Sequence, residues 1–89
     1  MVEREITIVN RLGLHARAAA KLVHLAGKFR SRIHLCKDGE EVDAKSILGI
    51  LLLAASQDSK IILRCDGADE SDAMRDLSQL VADGFEEAG

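Results

Sequence analysis

Eighty-nine residues, 47% of them hydrophobic, are enough for one domain with a modest core, and no Pro or Ser- or Gly-rich tract divides it. Only Phe29 and Phe85 are aromatic, so that core has to be assembled from Ile, Leu, Val and Ala. A net charge of −3 argues against a nucleic-acid partner, and the longest apolar run, Ile50 to Ala55, is too short for membrane insertion.

Residues 3–9 alternate, with Ile6 and Ile8 on one face and Glu5, Thr7 and Val9 on the other, which predicts a strand. Asn10-Arg11-Leu12-Gly13 reads as a loop. From Ala16 to about Gly27, Ala19, Leu22, Val23 and Ala26 recur at helical spacing, and Gly27 is a stop signal. Residues 31–37 alternate again, with Ile33 and Leu35 inward. Asp38-Gly39 then predicts a hairpin turn into a short arm, Glu40 to Asp43. Ser46 precedes an apolar helix expected to reach about Ala55. Ile61, Leu63 and Cys65 mark the inner face of a fourth strand, closed by Asp66-Gly67. A last helix is expected from about Glu70 to Phe85, with Ala73, Met74, Leu77, Leu80 and Val81 on one stripe and Asp69 or Ser71 as its cap. The order is βαββαβα. It predicts an α+β open-faced sandwich: a four-stranded antiparallel sheet, three helices on one face, and a wet face carrying Glu5, His34 and Arg64.

Charge is unevenly distributed. Residues 1–46 hold nine Lys or Arg against six acids, and residues 47–89 hold three against nine. A basic half containing Arg11, Arg17, Lys21, Lys28, Arg30, Arg32 and Lys45 suits an acidic partner. Cys36 and Cys65 are not spaced as a redox or metal pair, and the charged start, Met1 to Glu5, lacks the apolar stretch of a secretory signal. Both point to the cytoplasm and reduced thiols.

Gly13-Leu14-His15-Ala16-Arg17 joins the first strand to the first helix and puts His15 at or near the helix N-cap. A helix N-terminus presents unpaired N–H groups and a positive dipole end, both favourable to phosphate. The same potential favours a neutral imidazole, whose ring nitrogen can attack phosphorus. Phosphoryl transfer needs mainly positioning and charge neutralisation. Arg17 offers a planar, permanently charged fork for phosphate oxygens, and Gly13 permits a tight loop. The backbone N–H groups of Ala16, Arg17 and Ala18 are the expected phosphate cradle. Residue chemistry alone also fits a plain capping or surface role for His15. His24 and His34 lack this setting, and no i, i+4 pair among the three His suggests a metal.

A helix as apolar as Ile47 to Ala55 cannot bury every face against one sheet. Ile47, Leu48 and Leu51 are expected to be partly exposed, forming an apolar docking surface beside a basic rim that includes Arg17.

These features together resemble the HPr family, the histidine-containing phosphocarrier proteins of the bacterial phosphoenolpyruvate-dependent sugar phosphotransferase system. Gly13 to Arg17 matches that family's active-site motif, and Ala44-Lys45-Ser46-Ile47-Leu48-Gly49 its regulatory-serine segment. The resemblance covers Met1 to about Phe85 and implies a single HPr-like domain, 1–89, with a sheet open on one face. It implies that His15 accepts a phosphoryl group on Nδ1 from enzyme I, itself charged by phosphoenolpyruvate, and passes it to the IIA components of sugar permeases. Arg17 would contact the phosphate, and Ser46 would be the substrate of HPr kinase/phosphorylase. Such a protein is a stoichiometric carrier and not an enzyme, with no cofactor or metal, and a monomer is the simplest form for it. The family motif normally has Pro after the Arg; here Ala18 stands there. Ala18 adds one N–H to the first turn, and transfer is expected to survive with a looser loop. The closest alternative is a phosphocarrier of the nitrogen-related branch, with the same chemistry and other recipients. A small ligand-binding regulatory domain would need a pocket of convergent polar groups that the sequence does not supply.

Overall fold

Alternating side chains build the sheet. In the computed structural model, which describes residues 1–87, the strands are β1 (Val2–Thr7), β2 (Arg32–Lys37), β3 (Glu40–Asp43) and β4 (Lys60–Asp66). Ala88 and Gly89, the end of the expected domain, lie outside the described residues. The strands pair antiparallel in the order β1-β4-β2-β3. Ile6 stands opposite Ile61, Leu35 opposite Leu63, and Ile33 opposite Cys65. All six are buried, so one register sends every apolar side chain inward; a slip of one residue would expose them. Asp38 and Gly39 turn β2 into β3 with φ of 51° and 84°, as the sequence predicts.

Three helices cover the inner face: α1 (Ala16–Ala26), α2 (Ile47–Leu53) and α3 (Glu70–Ala82). α1 buries Ala18, Ala19, Leu22 and Ala26; α3 buries Ala73, Met74, Leu77 and Val81. The outer face stays open. There Arg64 on β4 donates to Glu3 on β1 at 2.7 Å and reaches across β2 to Glu41 on β3 at 2.6 Å. Exposed pairs of this kind each contribute about 0–1 kcal/mol, so the inner face carries the stability.

Four boundaries differ from the sequence reading. β1 ends at Thr7, because Ile8 is already paired with the loop before β4: its N–H donates to Ser59 O, and its carbonyl accepts from Asp58 N. α2 stops at Leu53, where Ala54 takes a left-handed conformation (φ 52°) and ends the helix two residues early. α3 stops at Ala82. A turn of 3₁₀ helix, Gly84–Glu86, follows with φ of 62°, 57° and 62°. Phe85, carried in that turn, is completely buried in the core. Finally, Asp69 stands before α3 but makes no side-chain bond to it, and Ser71 lies inside the helix. The Asp69 carboxylate instead accepts from Arg30 N at 2.8 Å, Ser31 N at 2.9 Å and the Ser31 hydroxyl at 2.5 Å. It ties the start of α3 to the entry of β2, and Glu70 takes the local role by accepting from Gly67 N.

These bonds, the Ser31 hydroxyl first and the Arg30 amide next, hold the Asp69 carboxyl down at about 2. A depressed carboxyl stabilises the fold above its ordinary value of 3.8 and loses that contribution as pH falls through about 2. Asp69→Asn is therefore expected to be less stable than the parent near neutrality, with the gap closing between those two pH values. Urea denaturation of both proteins across that acid range checks this; a gap independent of pH would contradict it.

Candidate functional site

The loop before α1 is held from two sides. The buried Asn10 donates from Nδ2 to Gly13 O at 2.8 Å, and Gly13 N donates back to Asn10 O at 3.1 Å. Leu14, also buried, donates its N–H to Ala55 O at 2.9 Å, beyond the end of α2. Gly13 has φ +66°, and a Cβ there would lie 2.4 Å from Ala55 O and 2.9 Å from Ser56 Cα. Only glycine fits that approach.

This loop delivers His15 as the N-cap of α1, with extended backbone (φ −75°, ψ 178°) and its carbonyl accepting from Ala19 N at 2.8 Å. The imidazole is engaged at both nitrogens. Nδ1 accepts from Arg17 N at 3.3 Å, and Nε2 lies 2.5 Å from Glu87 Oε1. An amide N–H can only donate, so Nδ1 presents a lone pair and the ring proton sits on Nε2, donated to the carboxylate. Nδ1 is thus the nitrogen with the available lone pair, and it faces the N-terminal end of the helix, where anions are favoured.

Around it, Ala16 and Arg17 are exposed, and the Arg17 guanidinium makes no ion pair among the described residues. The N–H groups of Ala16, Arg17 and Ala18 are the first donors of α1, with no helical carbonyl four residues behind them. The Ala18 side chain is wholly buried, so the residue that departs from the family motif is part of the core as well as of the first turn.

Ser46 is the N-cap of α2, and its Oγ accepts from Gly49 N at 3.2 Å. After it, Ile50 and Leu53 turn inward, while Ile47, Leu48 and Leu51 are exposed. Leu12 and Leu52, more than 60% exposed, were not singled out by the apolar pattern. The remaining thiols and imidazoles lie elsewhere. Cys65 is buried, and burial pushes its thiol up to about 11; Cys36 and His34 lie on the open sheet face near Glu41, and His24 is exposed on α1. Among the described residues no three His, Cys, Asp or Glu side chains form a metal-ion cluster.

Two functional neighbours escape the sequence reading. Asn10 left a signal, since Asn three residues before Gly is turn chemistry. Glu87 left none: it meets His15 from 72 positions away.

The profile of the family described as "PTS HPr component phosphorylation site" matches residues 2–83. The chain is similar to the phosphocarrier protein HPr of Cupriavidus necator, 51% identical over 87 residues and 98% of each chain. It is similar also to that of Xylella fastidiosa strain Temecula1, 54% identical over the same length and shares. Among solved structures, HPr-C-His from Thermoanaerobacter tengcongensis superposes with a TM-score of 0.96 at 44% identity over all of both chains.

Because the His15 loop depends on the Gly13–Ala55 approach, Gly13→Ala is expected to lower stability by about 1–3 kcal/mol. The midpoint of urea unfolding should fall with an unchanged slope. A loss below about 0.5 kcal/mol, the range of an ordinary surface substitution, would show that the loop relaxes freely.

Proposed function

The chain belongs to the HPr family of phosphotransferase-system phosphocarriers, and from that membership we propose that it carries its phosphoryl group on Nδ1 of His15. The observation that supports this most directly is the bond from Arg17 N to Nδ1, which marks the unprotonated nitrogen and aims it at the N-terminus of α1. In the transfer, the Nδ1 lone pair attacks phosphorus while the donor keeps the electron pair of the bond it loses. The phosphate oxygens then meet the amides of Ala16, Arg17 and Ala18 and the dipole of α1, an interaction of about 0.3–1 kcal/mol at an exposed helix end. Arg17, which pairs with no acid among the described residues, swings its fork onto the same oxygens.

The donor is enzyme I and the recipients are IIA components of sugar permeases, and the protein turns over stoichiometrically as a carrier in the cytoplasm. We read residues 1–89 as one HPr domain. A carrier that presents one surface to successive partners needs no second copy of itself, so it acts as a monomer. That surface is the apolar patch of Ile47, Leu48 and Leu51, beside Arg17 and Lys45. Ser46, half-buried at the edge of the patch, is the regulatory site for HPr kinase/phosphorylase. A phosphate there adds about −1.5 to −2 charges at pH 7 next to a surface that takes an acidic partner.

Incubation with phosphoenolpyruvate and enzyme I should add one phosphoryl mass to the parent and none to His15→Ala. The variant should fold, losing only about 0.5–1 kcal/mol with the cap bond. An acid-labile phosphoryl group on His15→Ala at the parent's rate would remove His15 as acceptor.

Ser46→Asp keeps an N-cap acceptor, so its stability should equal or slightly exceed the parent's. Charging by enzyme I should slow by roughly three- to tenfold at low salt through weaker association. The defect should shrink as ionic strength rises and the Debye length falls. A salt-independent defect, or a variant melting well below the parent, would point instead to a damaged helix.

A further inference from the structure

The chain does not end at α3 as surface tail. Gly84, Phe85 and Glu86 all take left-handed backbone, two of them non-glycine, and such conformations persist only where the surroundings enforce them. Three bonds do so. Phe85 is fully buried, Lys21 of α1 donates from Nζ to the Phe85 carbonyl at 2.6 Å, and Glu87 N donates to Gly84 O at 3.1 Å. The segment is thereby folded back onto α1, and its last described residue delivers a carboxylate to His15.

That carboxylate is built in. The Glu87 side chain is only 12% exposed. Its Oε1 accepts a hydrogen bond from His15 Nε2 at 2.5 Å and a second from Asn10 Nδ2 at 3.3 Å. Asn10 is itself buried and fixed to the Gly13 carbonyl, so the loop that positions His15 also positions its carboxylate. Arg17, two residues from His15, makes no ion pair among the described residues, while the acid goes to the ring.

We propose that Glu87 is a positioning residue for phosphoryl transfer, holding the His15 proton on Nε2 in both the free and the phosphorylated protein. The inference rests on His15 as the acceptor. In the free protein the carboxylate fixes the tautomer that leaves Nδ1 unprotonated. When Nδ1 forms its bond to phosphorus, the ring becomes cationic with its proton still on Nε2, and Glu87 compensates that charge at hydrogen-bond distance. A carboxylate paired with a catalytic imidazole acts in this way in hydrolytic triads. On onward transfer the Nδ1–P electron pair returns to Nδ1, and the leaving group is a neutral imidazole instead of an anion. The phosphoryl group enters and leaves with no proton gained or lost at His15.

Glu87→Gln tests this, because the amide oxygen can still accept from Nε2 and Asn10 and keep the segment pinned, while the charge is gone. Full-length parent and variant are loaded with phosphoramidate, a chemical phosphoryl donor, so that the measurement does not depend on enzyme I. Two readouts are taken at one mildly alkaline pH, both resolved at the His15 resonances. The first is the nitrogen-15 shift of Nε2 in the phosphorylated ring, which should report a protonated nitrogen in the parent and loss of that proton in the variant. The second is the rate of phosphohistidine hydrolysis, which proceeds through the cationic ring and should slow by roughly three- to tenfold without the charged acceptor. Identical shifts and identical hydrolysis rates in the two proteins would overturn the proposal and leave Glu87 a structural tether. Failure of enzyme I to charge the parent would instead overturn the proposed function, and the chemical loading keeps these two failures apart.

Discussion

The Leu14 amide reaches the Ala55 carbonyl at 2.9 Å because nothing projects from Gly13, and the geometry around His15 depends on that approach. Any side chain at residue 13 would strike backbone, which cannot yield as a side-chain tip can. The bond fastens the entry of α1 to the exit of α2. It sets the register in which His15 becomes a cap, and it also fixes where the patch on α2 stands relative to the imidazole. One backbone hydrogen bond contributes only about 0.5–1.5 kcal/mol to stability. Its importance lies in position: the proposed acceptor ring and the proposed docking surface are referenced to a single point.

Both helices joined there begin with a side chain that accepts from the backbone, His15 to Arg17 N and Ser46 to Gly49 N. The two caps differ in what lies behind them. His15 stands on an eleven-residue helix, long enough to sum a dipole, beside an exposed arginine and a basic half of the chain. Ser46 opens a seven-residue helix whose outer face is Ile47, Leu48 and Leu51. Negative charge at the first site meets compensation prepared for it. At the second it meets apolar side chains that a partner would need to cover, where a desolvated charge is costly. The same chemical group therefore has opposite consequences for association at the two positions.

Much of the architecture was legible because it follows from period alone. Ile33 and Leu35, Ile61, Leu63 and Cys65 alternate without interruption, and Ala19, Leu22 and Ala26 recur at helical spacing; such patterns leave one way to bury them. The His15 site was legible because its chemistry is local: Gly13, His15 and Arg17 lie within five residues. What escaped was decided by contacts distant in sequence. Asp69 has the composition of a cap, yet Ser31 and Arg30 offer it three donors from 38 and 39 positions away, and those outweigh one local bond. Phe85 fits the helical stripe of α3, yet it reaches the core from a separate turn after the helix has stopped. Glu87 reads as a solvated terminal acid, since nothing near it in sequence shows that Phe85 and Lys21 will fold it over α1. Ala18 reads as a helix former; only the packing shows that its methyl belongs to the core.

A carrier has to accept a phosphoryl group and then give it up, and this limits how strongly the site should hold it. Affinity that is equal before and after transfer does nothing for the rate of either step. The features around Nδ1 fit that limit. Backbone amides at an exposed helix end supply about 0.3–1 kcal/mol, screened further by salt. Arg17 is exposed and pairs with no acid among the described residues, so engaging a phosphate would break none of these ion pairs, and withdrawing from it would strand no buried charge. By contrast, Glu87 and Asn10, on the Nε2 side, are fixed and shielded from water. Rigidity thus lies on the Nε2 side, and with His15 as the proposed acceptor the contacts open to a phosphoryl group on Nδ1 are weak and reversible. A deeper pocket with buried cations would bind the phosphorylated state more tightly, but the onward step would have to repay that energy, and the closed walls would keep the recipient's nucleophile from reaching phosphorus.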